Sequence, residues 1–153
     1  MRTVFHVLAR GVVFVDGHVL LARTRGSSHT FLPGGHVQRG ESIPGALERE
    51  LRVELGAAPR VGASLGAVES DWKEGAIRHQ EINHVFEVAM PGLTPDRPPR
   101  AFEAHLEFLW SPIDDLDRYD LRPSPLRDLL RRWVQGGGSS SRAAGEFPPE
   151  GKG

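Results

Sequence analysis

Two glutamates with the spacing of a shared helical face, Glu50 and Glu54, are the first candidates for chemistry in this sequence. They fall in residues 42–55, where leucines recur every four positions and predict a helix. Side chains four residues apart lie on one helical face, so the two carboxylates are neighbours and repel one another. A hard cation between them would remove that repulsion, and Mg2+ takes oxygen ligands, commonly with waters and substrate phosphates among them. The pair therefore favours a divalent-cation site.

A longer pattern surrounds this pair. A glycine-rich turn at residues 32–35 precedes the helix, and residues 35–57 resemble the Nudix box, written G-x5-E-x7-R-E-U-x-E-E-x-G-U with U a bulky aliphatic residue. The positions in register with the box are Gly35, Glu41, Arg49, Glu50, Leu51, Glu54 and Gly56. The six fixed polar and glycine matches coincide by chance at roughly one start position in ten million, from ordinary residue usage. The likeness covers residues 4–133, so the chain is identified by resemblance as a Nudix (MutT-like) hydrolase.

The resemblance implies an α/β (α+β) fold, a Nudix-type α/β/α sandwich with a central mixed β-sheet. It also implies a Mg2+-dependent hydrolase, with Mn2+ as a second candidate ion, that cleaves a diphosphate bond in a nucleoside diphosphate linked to another moiety. A nucleoside triphosphate or a nucleotide sugar is the expected substrate. By the same resemblance Glu50 and Glu54 are metal ligands and Arg49 orients them by pairing. Glu41 and the Gly34 carbonyl are further candidate ligands.

The general base of such enzymes often comes from a loop or strand beyond the box. Clustered carboxylates raise one another's pKa until a metal binds, which favours a usable base. Glu81, Glu103 and Glu107 are the candidates in this chain. We favour Glu103, which follows the proline-rich segment 91–100.

Two positions depart from the box. Val53 stands where the first glutamate of the E-E pair belongs, and Ala57 is smaller than the usual final aliphatic residue. Valine offers no oxygen, so we expect the metal to bind more weakly here. The departure leaves a second function open, a catalytically weakened Nudix domain that acts as a nucleotide- or partner-binding module.

Residues that would select the substrate are less clearly marked. Phe31 and Trp72 are candidates to stack on a base, against the alternative that they pack beside strands. Arg23 and Arg25 are candidates to grip a phosphate, against the alternative that they are solvated. Gly35 is a candidate for close approach of the substrate to the backbone. The histidines include no pair at helical spacing, so no zinc site is predicted.

The elements that position these residues are predicted from periodicity and turn signals. Strands are expected at residues 4–15, 18–23, 61–70, 81–90 and 105–110, with a second helix at 125–134. The charged stretch 71–80 is expected to join two strands. Residues 1–134 therefore form one domain, and 135–153 are expected to be a flexible Gly/Ser/Pro-rich tail.

Composition excludes several other classes of protein. The chain has 153 residues, which suits one domain, and its lack of cysteine excludes disulfides, thiol catalysis and cysteine-ligated metals. A net charge of −1 gives no general attraction to nucleic acid or an anionic membrane. With no apolar run of membrane-spanning length and no leader-like start, we expect a cytoplasmic protein that acts on a small nucleotide-type molecule. A homodimer is left open.

Overall fold

The computed structural model describes residues 2–137. Its elements in chain order are β1 (Arg2–Val12), β2 (Phe14–Val15), β3 (His18–Thr24), β4 (Gly34–His36), α1 (Ile43–Leu55), β5 (Arg60–Glu74), β6 (Ile77–Ala89), β7 (Leu106–Pro112), a 3-10 turn at Ile113–Asp115 and α2 (Pro125–Gln135). No helix in this part of the chain is long and apolar enough to cross a membrane. Most of the expected tail, from residue 138 onward, lies outside the described residues.

The strands form two sheets. The first is mixed, in the order β4-β1-β6-β5: β1 runs parallel to β6 and antiparallel to β4, and β5 runs antiparallel to β6. The second is antiparallel, in the order β2-β3-β7. The expectation of a central mixed sheet is confirmed.

The helices lie against two separate hydrophobic cores, as a sandwich requires. Leu47, Leu51 and Leu55 of α1 belong to the first core, and Leu126 and Leu130 of α2 belong to the second. Alternate residues of β3 enter different cores: Leu20 and Ala22 join the first, and Val19 and Leu21 join the second. Because successive strand residues face opposite sides, one strand supplies both layers.

The single strand expected at residues 4–15 is broken at Val13. Val12 packs in the core of α2 and Val13 in the core of α1, and the chain passes from the mixed sheet into the antiparallel sheet at this point. Gly11, two residues earlier, is tightly packed, since a Cβ there would lie 2.9 Å from Val88 Cγ2. The break therefore results from packing against two layers. The alternation of residues along one strand does not reveal it.

The expected connection at residues 71–80 is wrong. These residues continue β5 and β6, which meet in a tight turn at residues 75–76, where Gly75 has a φ of 60°. Residues 71–76 are exposed, so this end of the hairpin lacks the apolar alternation of a half-buried strand. Cross-strand pairing holds it instead, and Arg78 donates hydrogen bonds to the Asp71 carboxylate.

The helix expected at residues 42–55 is observed as α1. Ser42 caps its start by accepting a hydrogen bond from the Gly45 N–H at 3.0 Å, and Pro44 lies in the first turn. Gly56 ends the helix in the left-handed conformation, with a φ of 68°. Local capping signals therefore fix the register of this helix, which carries the candidate ligands.

Candidate active site

The leucine stripe of α1 is buried, which turns the neighbouring helical face towards the edge strand β4. Glu54 on that face is only 6% exposed, and its Oε1 accepts a hydrogen bond from the Gly34 N–H at 3.2 Å. Glu50 lies against Gly35, where a Cβ would come within 2.6 Å of the Glu50 Cδ. The missing side chain at position 35 therefore lets a helix carboxylate reach the strand backbone.

Burial has a large effect on Glu54. It raises the pKa of that carboxyl group to about 8, and the charge of Glu50 adds to the increase. The hydrogen bond from Gly34 and the charge of Arg10 act in the opposite direction. Without a cation nearby, this carboxyl group holds its proton at neutral pH. A divalent ion would stabilise the ionised form, so the pair fits a metal on electrostatic grounds.

Arg49 joins the helix to the loop that precedes it. Its Nε donates to Glu41 Oε2 at 2.7 Å, its Nη2 to Glu41 Oε1 at 3.0 Å, and its Nη1 to Glu50 Oε1 at 2.9 Å. These bonds raise the pKa of Arg49 and lower that of Glu41. The Gln38 N–H also donates to Glu41, at 2.8 Å. Both oxygens of Glu41 are therefore engaged, and one oxygen of Glu50 is held in place. Glu41, Arg49, Glu50 and Glu54 with Gly34 and Gly35 are called the carboxylate site below.

Within residues 2–137, no group of three or more His, Asp or Glu side chains is arranged to hold a metal by itself. Mg2+ does not require one, because proteins commonly bind it through one or two carboxylates together with waters and substrate phosphates. Glu50 and Glu54 match that donor set. Val53, at the position of the missing glutamate, is 48% exposed.

A cleft of about 620 Å3 opens between the mixed sheet and the segment that leads into α2. Phe31 and Trp72, both candidates from the sequence, line it. So does Glu81, whose oxygens accept hydrogen bonds from Ser70 Oγ at 3.0 Å and from Trp72 Nε1 at 3.3 Å. The structure therefore brings two predicted stacking residues and one predicted base candidate into a single cavity.

Arg10 lies between the cleft and the carboxylate site. Its Nη1 donates to the Leu32 carbonyl at 3.1 Å and its Nε to Asn83 Oδ1 at 3.4 Å, and its guanidinium carbon lies 5.5 Å from the centre of the Phe31 ring. Burial lowers the pKa of Arg10, whereas the charges of Glu54, Glu81 and Glu50 act to raise it. Sequence reasoning missed this residue, although a lone arginine in the apolar run of β1 is a usable signal.

Other cleft residues were also missed. They come from the segment before α2 and from its first turn: Asp120, Arg122, Pro123, Ser124 and Arg127. Arg127 and Arg122 both donate to the Asp120 carboxylate, at 2.9 and 2.8 Å. No local spacing links these residues to β5 or β6, so only the fold reveals them.

Arg23 and Arg25 lie elsewhere. Arg23 Nε donates to Glu107 Oε1 at 2.6 Å, and Arg25 donates to the Ala104 carbonyl at 3.1 Å. Neither arginine is among the described residues that line the cleft. Glu107, one of the three base candidates, is thus held in an ion pair.

Glu103 lies on a loop that is attached to the end of α1. The Phe102 N–H donates to the Glu54 carbonyl at 2.9 Å, and the negative charge of Glu103 contributes to the raised pKa of Glu54. Of the three base candidates, Glu103 is the one whose charge acts on Glu54.

The sequence matches the profile of the NUDIX domain over residues 5–133. No curated protein gives a significant match. Among solved structures, the chain is similar to the E. coli ORF135 protein, at 24% identity over 90% of this chain and 94% of that one, with a TM-score of 0.65. It is similar to the MutT protein from Methanosarcina mazei Go1 at 20% identity over 91% and 99% of the two chains, with a TM-score of 0.69. A UDP-X diphosphatase shares 18% identity over 87% and 64%, with a TM-score of 0.62.

The domain match, which extends over most of the chain, defines the class: the protein belongs to the Nudix family. It is accordingly a Nudix pyrophosphohydrolase, an enzyme class that acts on small nucleotide-type substrates. The resemblance of residues 35–57 to the Nudix box is thereby confirmed at the level of the family.

Proposed function

We propose that this enzyme hydrolyses a diphosphate bond in a nucleoside triphosphate or a nucleotide sugar, with Mg2+ or Mn2+ as cofactor. One observation carries the proposal: a buried carboxyl group, Glu54, lies beside Glu50 at the start of strand β4, and Arg10 connects this site to the cleft. The arrangement supplies cation ligands next to a space for a nucleoside. The similarity to a UDP-X diphosphatase and to the ORF135 protein supports the fold.

Glu50, Glu54 and the Gly34 carbonyl would hold the cation. When bound, the ion would polarise the diphosphate and make water easier to deprotonate. Glu41, whose oxygens are engaged by Arg49 and Gln38, would act through Arg49 by holding Glu50 rather than as a ligand. Glu103 would take the proton from the attacking water, because it lies on the loop attached to the end of α1.

The cleft would hold the nucleoside. Phe31 and Trp72 would stack on the base. Gly35 would act at the phosphate end by leaving room for the Glu50 carboxylate beside the strand backbone. Arg10 would face the phosphates that join base to cation, since it lies between these two regions. A phosphate contact from Arg23 or Arg25 stays a prediction, as do the homodimer, the cytoplasmic location and the lack of a nucleic-acid partner.

A panel assay tests this function. Nucleoside triphosphates and nucleotide sugars are incubated with Mg2+, Mn2+ or EDTA, and released phosphate, pyrophosphate and nucleoside monophosphate are quantified. We expect a nucleoside monophosphate as a product, only when metal is present. Glu54→Gln serves as a matched inactive control. If no compound in the panel is hydrolysed with either ion, the proposal is wrong.

The second candidate is a nucleotide-binding module with weak turnover. Val53 favours it, because this exposed position offers no oxygen to a cation. The module would bind nucleotide in EDTA as tightly as in Mg2+ and release little product. Calorimetry under both conditions, run beside the panel, separates the two candidates.

A further inference from the structure

Three histidines on three adjacent strands of the mixed sheet form a hydrogen-bonded chain. His36 belongs to β4, His6 to β1 and His79 to β6. His6 Nδ1 lies 2.9 Å from His36 Nε2, and His6 Nε2 lies 2.8 Å from His79 Nδ1. A neutral imidazole donates at one nitrogen and accepts at the other, so both bonds form when donors and acceptors run in one direction. The chain therefore ties the three strands together through side chains.

The last histidine of this hydrogen-bonded chain, His79, contacts Trp72. The ring of His79 is stacked on the Trp72 indole, with centroids 3.9 Å apart and planes 10° from parallel. The two residues are also direct partners in the β5–β6 register. Trp72 is nevertheless 43% exposed and lines the cleft. One face of the indole is thus supported by His79, and part of the residue is exposed in the cleft.

The edge of the same indole fixes a carboxylate. Trp72 Nε1 donates to Glu81 Oε2 at 3.3 Å, and Ser70 Oγ donates to Glu81 Oε1 at 3.0 Å. Glu81 lines the cleft, and each oxygen of an ionised carboxylate can accept a further hydrogen bond. Trp72 and Glu81 together form a flat aromatic surface beside a fixed acceptor.

His79 is costly for the fold. It is 9% exposed, and its Nε2 has no hydrogen-bond partner within residues 2–137; Glu74 Oε1 is 3.6 Å away. A buried nitrogen without a partner destabilises a protein, so packing alone is a poor account of this residue. Its ring stack against Trp72 is the contact that reaches the cleft.

We propose that His36, His6 and His79 are positioning residues that hold Trp72 and Glu81 as a preformed wall for the nucleobase. The wall takes a planar heterocycle that stacks on Trp72 and donates N–H hydrogen bonds to Glu81. Because the three histidines fix the indole before the ligand arrives, the Trp72 side chain loses less conformational freedom on binding. The inference rests on the proposed function for its ligand, but the support of Trp72 by the histidines is a property of the free protein.

The first experiment tests that support without a ligand. The indole N–H signal of Trp72 is identified in 15N spectra of the full chain by its loss in Trp72→Phe. We expect His6→Leu to shift this signal and to speed its exchange with solvent, because His79 is released. His84→Leu, on the opposite face of β6, is the matched control and should leave the signal in place. An unchanged signal in His6→Leu overturns the proposal.

The second experiment tests the consequence for binding. Nucleoside monophosphates are titrated in EDTA, and KM and kcat are measured with metal. Trp72→Leu should weaken binding roughly tenfold, the scale of one lost stacking surface, and His6→Leu by roughly threefold with kcat unchanged. In the Trp72→Leu background, His6→Leu should have no further effect.

An equal loss in both backgrounds would show that His6 acts through the fold, and would overturn the proposal. Melting curves accompany each variant, and His6→Gln replaces His6→Leu if the latter does not fold. If the wild-type protein binds no nucleotide, this result contradicts both the proposed function and the role of Trp72 and Glu81 as a wall for the nucleobase. The 15N comparison still decides the support of Trp72 in that case.

Discussion

The carboxylate site and the cleft are neighbours, but they are assembled in different ways. Every member of the carboxylate site comes from residues 34–54, one strand edge followed by one capped helix. The cleft collects side chains from β1, β5, β6, the loop after β3 and the segment before α2. The comparison teaches that local spacing positions the carboxylate site, whereas the cleft exists only because distant segments meet.

The two regions also differ in charge balance. In the carboxylate site the burial of Glu54 and the nearness of Glu50 leave a shortage of positive charge. In the cleft the carboxylates are partnered by donors from the protein, as Asp120 is by Arg122 and Arg127. Under the proposed function, the first region is the one that would take a cation, and the second is the one that would take the uncharged nucleoside.

The largest expected effect lies in the carboxylate site. Glu50→Gln or Glu54→Gln should lower kcat by about a hundredfold, the scale of a lost metal ligand or its support. Glu48→Gln is the control, since Glu48 is exposed on the same helix and pairs with Arg52 at 2.8 Å. Steady-state hydrolysis of the best substrate from the panel is the measurement. Full activity and unchanged metal affinity in a variant would remove that residue from the site.

The next effect concerns position 53, where the Nudix box has a glutamate and this chain has Val53. Val53→Glu adds a carboxylate at an exposed position between Glu50 and Glu54 in the sequence. It should tighten Mg2+ binding by about 10–100-fold, the range for changes in a ligand's surroundings. Calorimetry of Mg2+ without substrate, and Mg2+ titration of activity, measure the change. Gln135→Glu controls for added charge, and equal half-saturation in wild type and Val53→Glu would show that position 53 does not face the ion.

A smaller effect, of a different kind, is expected in the cleft. Phe31→Leu should raise KM roughly tenfold and leave kcat nearly unchanged, because stacking holds the base in ground state and transition state alike. Phe5→Leu is the control, an exposed aromatic outside the lining of the cleft. A fall in kcat without a rise in KM would place Phe31 with the carboxylates and remove the distinction between the two regions.

The smallest effect is on stability and depends on pH. The pKa of Glu54 is raised from 4.5 to about 8, so between these values the folded chain holds a proton that the unfolded chain releases. Wild type therefore loses stability as pH rises through this window, and Glu54→Gln does not. In EDTA the two proteins should melt together at pH 4, and the variant should melt at least roughly 10 °C higher at pH 9. Melting curves that differ equally at both pH values would contradict the raised pKa.

The predictable part of the fold and site is the part with local causes. The capping of α1 by Ser42 and Gly56 and the leucine stripe determine its bounds and its buried face. From these the juxtaposition of Glu50 and Glu54 follows, whereas the pairing of Arg49 with Glu50 was expected from the resemblance to the Nudix box. Helix geometry converts sequence spacing directly into position, so this region could be anticipated from one sequence.

The rest depends on long-range packing. The break at Val13 arises because two cores compete for consecutive residues, and the extension of β5 and β6 through residues 71–80 relies on cross-strand pairing of exposed residues. Arg10 reaches the cleft only because β1 lies between β4 and β6. None of these features leaves a periodic trace in the local sequence.

The parallel pairing of β1 with β6 also has a consequence for how the chain acquires its structure. Arg2 is paired with Ile77 and Val12 with Glu87, so each pair joins residues that are far apart in the sequence. The β5–β6 hairpin and α1 have near neighbours and can form early, while closing the long loop to β1 is entropically slow. Arg10 and His6 both lie on β1. The proposed wall for the nucleobase therefore depends on the long-range docking of β1, and a ligand that requires the wall would bind only chains in which β1 has docked.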